Sequence, residues 1–185
     1  MDDQGDGRAF AILDYDRDGR PDLAAVYSNA PSTRLFRNLL APPRTGAAPR
    51  EGDAPQEGDA PPAGAAPGFI AIRFVGGNAK TEPRPGFACR DGYGAQVTLQ
   101  AGGRTLLREH RCGEGMAAQN SATLLIGLGP AAAAESVQVR WPSGRVTSAG
   151  TVPSGTLVTV FEDPAENSDR PFTLSPYRPP ARQKR

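Results

Sequence analysis

Asp14, Asp16, Asp18 and Asp22 stand in the stretch D-Y-D-R-D-G-R-P-D at 14–22, with Gly19 directly after the third acid. Alternate carboxylates on a short loop present hard oxygens to one point, which is what Ca²⁺ needs for its six to eight ligands at roughly 2.3–2.6 Å. Asp14, Asp16 and Asp18 supply the alternation, Gly19 permits the sharp turn, the backbone carbonyl of Arg20 can face inward, and Asp22 closes the shell. Four acids this close repel one another unless a cation offsets them. The spacing therefore predicts a Ca²⁺ site held by Asp14, Asp16, Asp18, Arg20 and Asp22. The plainer alternative is an acidic solvated turn, because Asp and Gly are ordinary turn formers. Such a turn has no need of Asp at four regular positions.

The flanks decide what kind of loop this is. An EF-hand carries a bidentate Glu at its twelfth loop position and a helix on each side. Here that position is Ala25, and the flanks are short apolar runs, F-A-I-L at 10–13 and L-A-A-V-Y at 23–27. Short runs of this kind read as strands, and a third strand is expected over 33–39. The predicted unit is strand, ion loop, strand.

R-A-F-A-I-L-D-Y-D-R-D-G-R-P-D-L-A-A-V, followed by R-L-F-R-N at 34–38, resembles an FG-GAP/VCBS repeat over roughly 8–40. The resemblance implies one blade of a calcium-decorated β-propeller. A propeller needs about four to eight blades, so the expectation is a partial repeat whose other blades lie upstream.

The chain has 185 residues, 21 basic and 20 acidic, for a net charge of +1. That balance gives no electrostatic case for nucleic acid or an anionic membrane, and no apolar run is long enough for a membrane span. Basic residues are almost all Arg, with Lys only at 80 and 184, beside abundant Ala, Gly and Pro. The bias points to a GC-rich bacterial coding sequence. The polar start M-D-D-Q-G-D-G-R is no signal peptide, so an extracellular location is an expectation for a longer protein. Cys89 and Cys112 are an even pair, open to a disulfide or to two buried thiols. The lone His110 lies two residues from Cys112 without an evident orienting partner, so nucleophilic chemistry by that pair is not expected.

Residues 41–68 contain E-G-D-A-P twice and no aliphatic side chain larger than Ala. Such a segment buries too little to offset its ordering entropy, and a disordered linker is expected. From 69 to 162 the pattern changes to short alternating runs. Strands are expected at 69–75, 95–100, 105–111, 122–126, 136–141, 145–148 and 156–162, with tight turns at Gly102-Gly103 and Pro142–Gly144 and a possible helical turn at 130–135. The fold class is all-β, an antiparallel sandwich-like domain joined by the linker to the blade fragment. Residues 163–185 are Pro-rich and basic and read as a disordered tail.

Three motifs in this second unit carry a further resemblance. R-D-G-Y-G-A at 90–95, G-E-G-M-A-A-Q-N at 113–120, and I-G-L-G at 126–129 followed by V-Q-V-R-W-P-S-G at 137–144 are similar to the ASPIC/UnbV domain. That family implies secreted proteins of the cartilage acidic protein kind, in which the domain follows FG-GAP/VCBS repeats, and also proteins encoded beside enediyne biosynthesis genes. The chain departs from the family's G-x-G-Y-x-S-Q stretch at Met116 and Ala118, which alters any surface that used the missing ring or hydroxyl. Gly92 and Gly94 read as positions of left-handed backbone or close approach, and Trp141 as core. Asp91 is expected to orient its own loop, and Gln119 and Asn120 to satisfy backbone groups or line a binding surface. The implied function is non-enzymatic, extracellular, calcium-dependent recognition of a protein or glycan. The alternative is an enzyme or accessory protein of natural-product biosynthesis.

Overall fold

The computed structural model describes residues 6–29, 32–39, 68–79, 82–115 and 117–178. The linker expected at 41–68 lies outside them apart from Gly68, as do Met116 and the last seven residues.

Three antiparallel strands, β1 (Gly7–Leu13), β2 (Asp22–Tyr27) and β3 (Thr33–Phe36), form a sheet in the order β1-β2-β3. The acidic loop is the β1–β2 connection, as its apolar flanks predict. The rest of the chain builds two four-stranded sheets. One runs β10 (Val146–Ala149), β9 (Ser136–Arg140), β5 (Gln96–Ala101), β6 (Arg104–Glu109). The other runs β13 (Phe172–Pro176), β12 (Thr156–Phe161), β4 (Gly68–Val75), β7 (Thr123–Gly129). A two-residue pair, β8 (Ala133–Ala134) with β11 (Val152–Pro153), stands between them. Among the described residues the fold is all-β, with no closed barrel.

Alternation explains the core. Val97 and Leu99 of β5, Val137 and Val139 of β9, and Ile70, Ile72 and Phe74 of β4 point inward with Ile126, Leu128, Val158 and Val160, forming one cluster between the two larger sheets. Trp141 is 1% exposed in that cluster and donates its indole N–H to Thr147 Oγ1 at 2.8 Å. It is core, as its strand pattern predicts. Gly92 packs where a Cβ would meet Phe74 Cβ and the Trp141 ring at 2.8 Å, and it holds φ +67°. The close approach expected there is real. Gly94, at φ +89°, likewise takes the left-handed backbone expected of it.

The seven strands expected between 69 and 162 are present within a few residues of their expected ends. Three expectations need correction. The 130–135 stretch is not a helical turn; Ala133 and Ala134 pair with Pro153 and Val152. The sandwich is not purely antiparallel, because β12 runs parallel to β4. The disordered tail does not begin at 163: Pro164–Asn167 is a 3-10 turn capped by Asp163, and β13 pairs antiparallel with β12 from Phe172↔Val160 to Pro176↔Thr156. Proline is tolerated at an edge strand that has one partner, and β13 is such an edge. Tyr177, just beyond it, is buried with Ala71 and Leu157 on the outer face of that sheet.

Candidate metal centre

The loop is shaped by its own acids. Gly19 N–H donates to Asp14 Oδ2 at 2.8 Å, and Asp18 N–H to Asp14 Oδ1 at 3.1 Å. Arg20 N–H donates to Asp18 Oδ1 at 3.0 Å. Reversal of the chain takes positive φ at Arg17 (57°) and Gly19 (88°). Gly19 is also where the loop meets the sandwich: a Cβ there would lie 2.1 Å from the Phe69 ring. A side chain there would force the Phe69 ring or the loop to shift.

Folded in this way, Asp14, Asp16 and Asp18 place one carboxylate oxygen each within 4.8 Å of one another. Two oxygens on one Ca²⁺ at roughly 2.3–2.6 Å lie at most roughly 5 Å apart, so the three carboxylates fit a single ion of that kind. Asp22 stands outside this triad. Its Oδ2 accepts from Tyr15 N–H at 3.1 Å and its Oδ1 from Asn38 N–H at 2.7 Å. Asp22 therefore ties the start of the loop to the end of β3.

Two arginines lie where positive charge is needed. Arg20 Nε donates to Asp18 Oδ2 at 3.0 Å, and Arg37 Nη2 is 2.6 Å from Asp16 Oδ2. The Arg20 guanidinium holds the Asp18 carboxyl below the usual carboxylate range. Burial pushes Asp14 the other way, against the lowering effect of the Gly19 and Asp18 amides and of the Tyr177 hydroxyl. Sequence spacing did not point to Arg37 or Asn38, although both belong to the R-L-F-R-N run. Nothing in the sequence near the loop points to Tyr177, whose phenol is raised to about 12 by burial first and by the Asp14 charge second.

The other residues singled out by the sequence fall into structural places. His110, 3% exposed, is stacked between Phe74 (4.3 Å between centroids) and Tyr93 (4.7 Å). Its Nε2 lies 3.1 Å from the Asp91 carbonyl, which makes that nitrogen the donor and lets Asp91 fix its own loop through its backbone. Cys89 and Cys112 are both free and exposed, so neither the bridge nor the pair of buried thiols describes them. Gln119 reaches the Tyr93 hydroxyl, and Asn120 Oδ1 accepts from Ile12 N–H of β1 at 2.8 Å. A carboxylate that the sequence left unremarked, Glu162, is 3% exposed and accepts from Gly77 N–H at 2.7 Å and Ala88 N–H at 2.8 Å. With the Ser143 hydroxyl donating to it as well, it holds three loop segments of the sandwich together without facing solvent. A cleft of about 190 Å³ between β1 and the sandwich is lined by Ile12, Asp14, His110, Glu114, Asn120 and Tyr177 among others.

Residues 88–167 match the family model described as ASPIC and UnbV. The match spans all three motifs that carry the resemblance, from the Asp91 loop through Asn120 to Trp141. The ASPIC/UnbV domain thus supplies β5 to β12, while β4, paired to both β12 and β7, and β13, paired to β12, complete its second sheet from outside the matched stretch. No curated protein matches the chain. Among the described residues, no helix is long and apolar enough to cross a membrane.

Proposed function

We propose that the chain is a calcium-binding, non-enzymatic recognition module, extracellular in its full-length protein, in which an FG-GAP/VCBS-type blade is joined to the ASPIC/UnbV domain. The observation that carries this reading is the convergence of Asp14, Asp16 and Asp18 oxygens within 4.8 Å on a loop whose backbone they themselves organise. Asp14, Asp16 and Asp18 would hold the ion with the Arg20 carbonyl as a further ligand, and Asp22 would brace the loop around it. The ion would supply fixed positive charge, so its contribution is structural rather than catalytic. Recognition of a protein or glycan would then belong to the sandwich surface or to its junction with the first sheet. The ASPIC/UnbV match supports this class of module.

A calorimetric Ca²⁺ titration of the purified chain, run beside the Asp16→Ala/Asp18→Ala double variant, tests the reading. One ion per native chain and none for the variant is the expected result. A native chain that takes up no Ca²⁺ sinks it.

A further inference from the structure

The acidic loop is gripped from outside by two residues of the sandwich, and these two also touch each other. Phe69, at the start of β4, covers Gly19 so closely that no Cβ fits between them. Tyr177, directly after β13, lines the same cleft as Asp14, close enough for its hydroxyl to act on that carboxylate. The two rings meet edge to face, with centroids 5.5 Å apart at 81°. Their backbones are joined through one residue: Gly155 N–H donates to Phe69 O at 2.8 Å, and Tyr177 N–H donates to Gly155 O at 2.9 Å. On the other side of the junction, Ser121 N–H donates to Ile12 O at 2.9 Å, next to the Asn120 bond to Ile12.

Resting on the calcium reading above, we infer that the loop is a clasp on the C-terminal strand: Tyr177 is a positioning residue for the ion site, and cation binding locks β13 and the first sheet onto the ASPIC/UnbV domain. Asp14 is the one residue that belongs both to the carboxylate triad and to the Tyr177 contact. An ion that orders Asp14 orders the acceptor of the Tyr177 hydroxyl, and a seated Tyr177 fixes one rotamer of Asp14. Such coupling is reciprocal: whatever one site contributes to the other's affinity is returned in equal measure. A ligand that binds only the docked form also stabilises docking in proportion to its saturation. β13 is well placed to report this. It is an edge strand with a single hydrogen-bonded neighbour and exposed side chains at Leu174, Ser175 and Pro176. Beyond the ladder to β12, Tyr177 is what anchors its far end, through the Phe69 ring and Gly155.

The test is amide hydrogen exchange on the full chain with and without saturating Ca²⁺, for the native protein and Tyr177→Phe. The Phe ring keeps the edge contact to Phe69 and loses only the hydroxyl, so the variant is expected to fold. In the native protein Ca²⁺ should slow exchange of the 172–177 amides by about tenfold or more, as expected when local opening is opposed by a linked ligand. In Tyr177→Phe the ion should bind more weakly, by about tenfold or more in Kd, as expected for losing a hydrogen bond to a charged group, and the slowing at 172–177 should shrink with it. Native protein that binds Ca²⁺ in calorimetry with no change at 172–177 overturns the clasp and leaves the ion site standing. Equal Ca²⁺ affinity of the native and Tyr177→Phe chains overturns the role of Tyr177. Absence of Ca²⁺ binding in the native chain overturns the clasp together with the calcium reading.

Discussion

The two sheets of the sandwich and the three-stranded sheet at 7–36 are built from similar strands and held by different forces. In the sandwich, alternating Val, Ile and Leu from both larger sheets close on Trp141 in one continuous cluster. In the first sheet, Phe10 is 59% exposed and Val26 and Leu35 are about half exposed. Its buried members, Ala25 and Tyr27, are few. What organises it is polar: Asp14 and Asp22 accepting backbone N–H groups, Arg20 and Arg37 facing Asp18 and Asp16, and Asn120 meeting Ile12. A two- or three-stranded piece with little buried area is marginal by itself. The contrast predicts that the sandwich is stable by itself and that the first sheet depends on it through the loop.

Substitutions in the two regions should therefore behave differently. Trp141→Ala empties the largest buried volume and removes the indole donor to Thr147, and should cost about 3–5 kcal/mol of global stability in denaturant unfolding. Both regions should be lost in a single transition. If instead the first sheet persists after the sandwich has melted, the dependence runs the other way. Gly19→Ala should cost about 1–3 kcal/mol, since it adds backbone strain at φ +88° and drives a Cβ into Phe69. That loss should be local. Exchange protection should fall at β1 to β3, while the amides of β5 and β9 keep theirs; equal loss in both would erase the distinction drawn here. The smallest effect is a pH dependence confined to the sandwich. Burial lowers the His110 pKa, with the Asp91 carbonyl and the charges of Asp91 and Glu114 opposing it. The folded state thus prefers neutral imidazole, and its contribution is fully present above the unfolded value of roughly 6.5. It declines as pH falls below that value toward the folded pKa. A His110→Gln variant should show a flatter stability profile from about pH 6.5 to 5; an unchanged slope would assign the dependence to other groups.

Where a strand's environment is set by its own alternation, the sequence is sufficient. S-V-Q-V-R-W and A-Q-V-T-L-Q show their buried faces residue by residue, and Gly102-Gly103 turns where two positive-φ residues are needed. β13 was hidden because its partner is what makes it a strand. F-T-L-S-P follows Pro171, ends on Pro176, and looks like coil until β12 offers an edge. The parallel β4–β12 pair and the β8–β11 bridge are likewise decided by residues far apart in the chain. The site shows the same division. Four spaced acids and a glycine announce the loop, and three of those acids converge. The guanidinium of Arg37, the amide of Asn38 and the hydroxyl of Tyr177 arrive there only through tertiary packing, which no local spacing encodes. Exposure of Cys89 and Cys112 is of the same kind, since it depends on which loops fold over them.

β4 lies between β12 and β7, and both of those neighbours follow it in the chain by dozens of residues. A chain leaving the ribosome therefore presents F-I-A-I-R-F-V with both of its edges open until residues 123–129 and then 156–161 have emerged. Non-local pairings of this kind pay their loop-closure entropy before any contact rewards it, and they close slowly. For that interval a strongly apolar strand is an unpaired template for its own copies. The step at which this sandwich is vulnerable is thus a matter of synthesis order. Slowing elongation before residue 161 should lower the yield of folded protein without changing the stability of the molecules that complete the sheet.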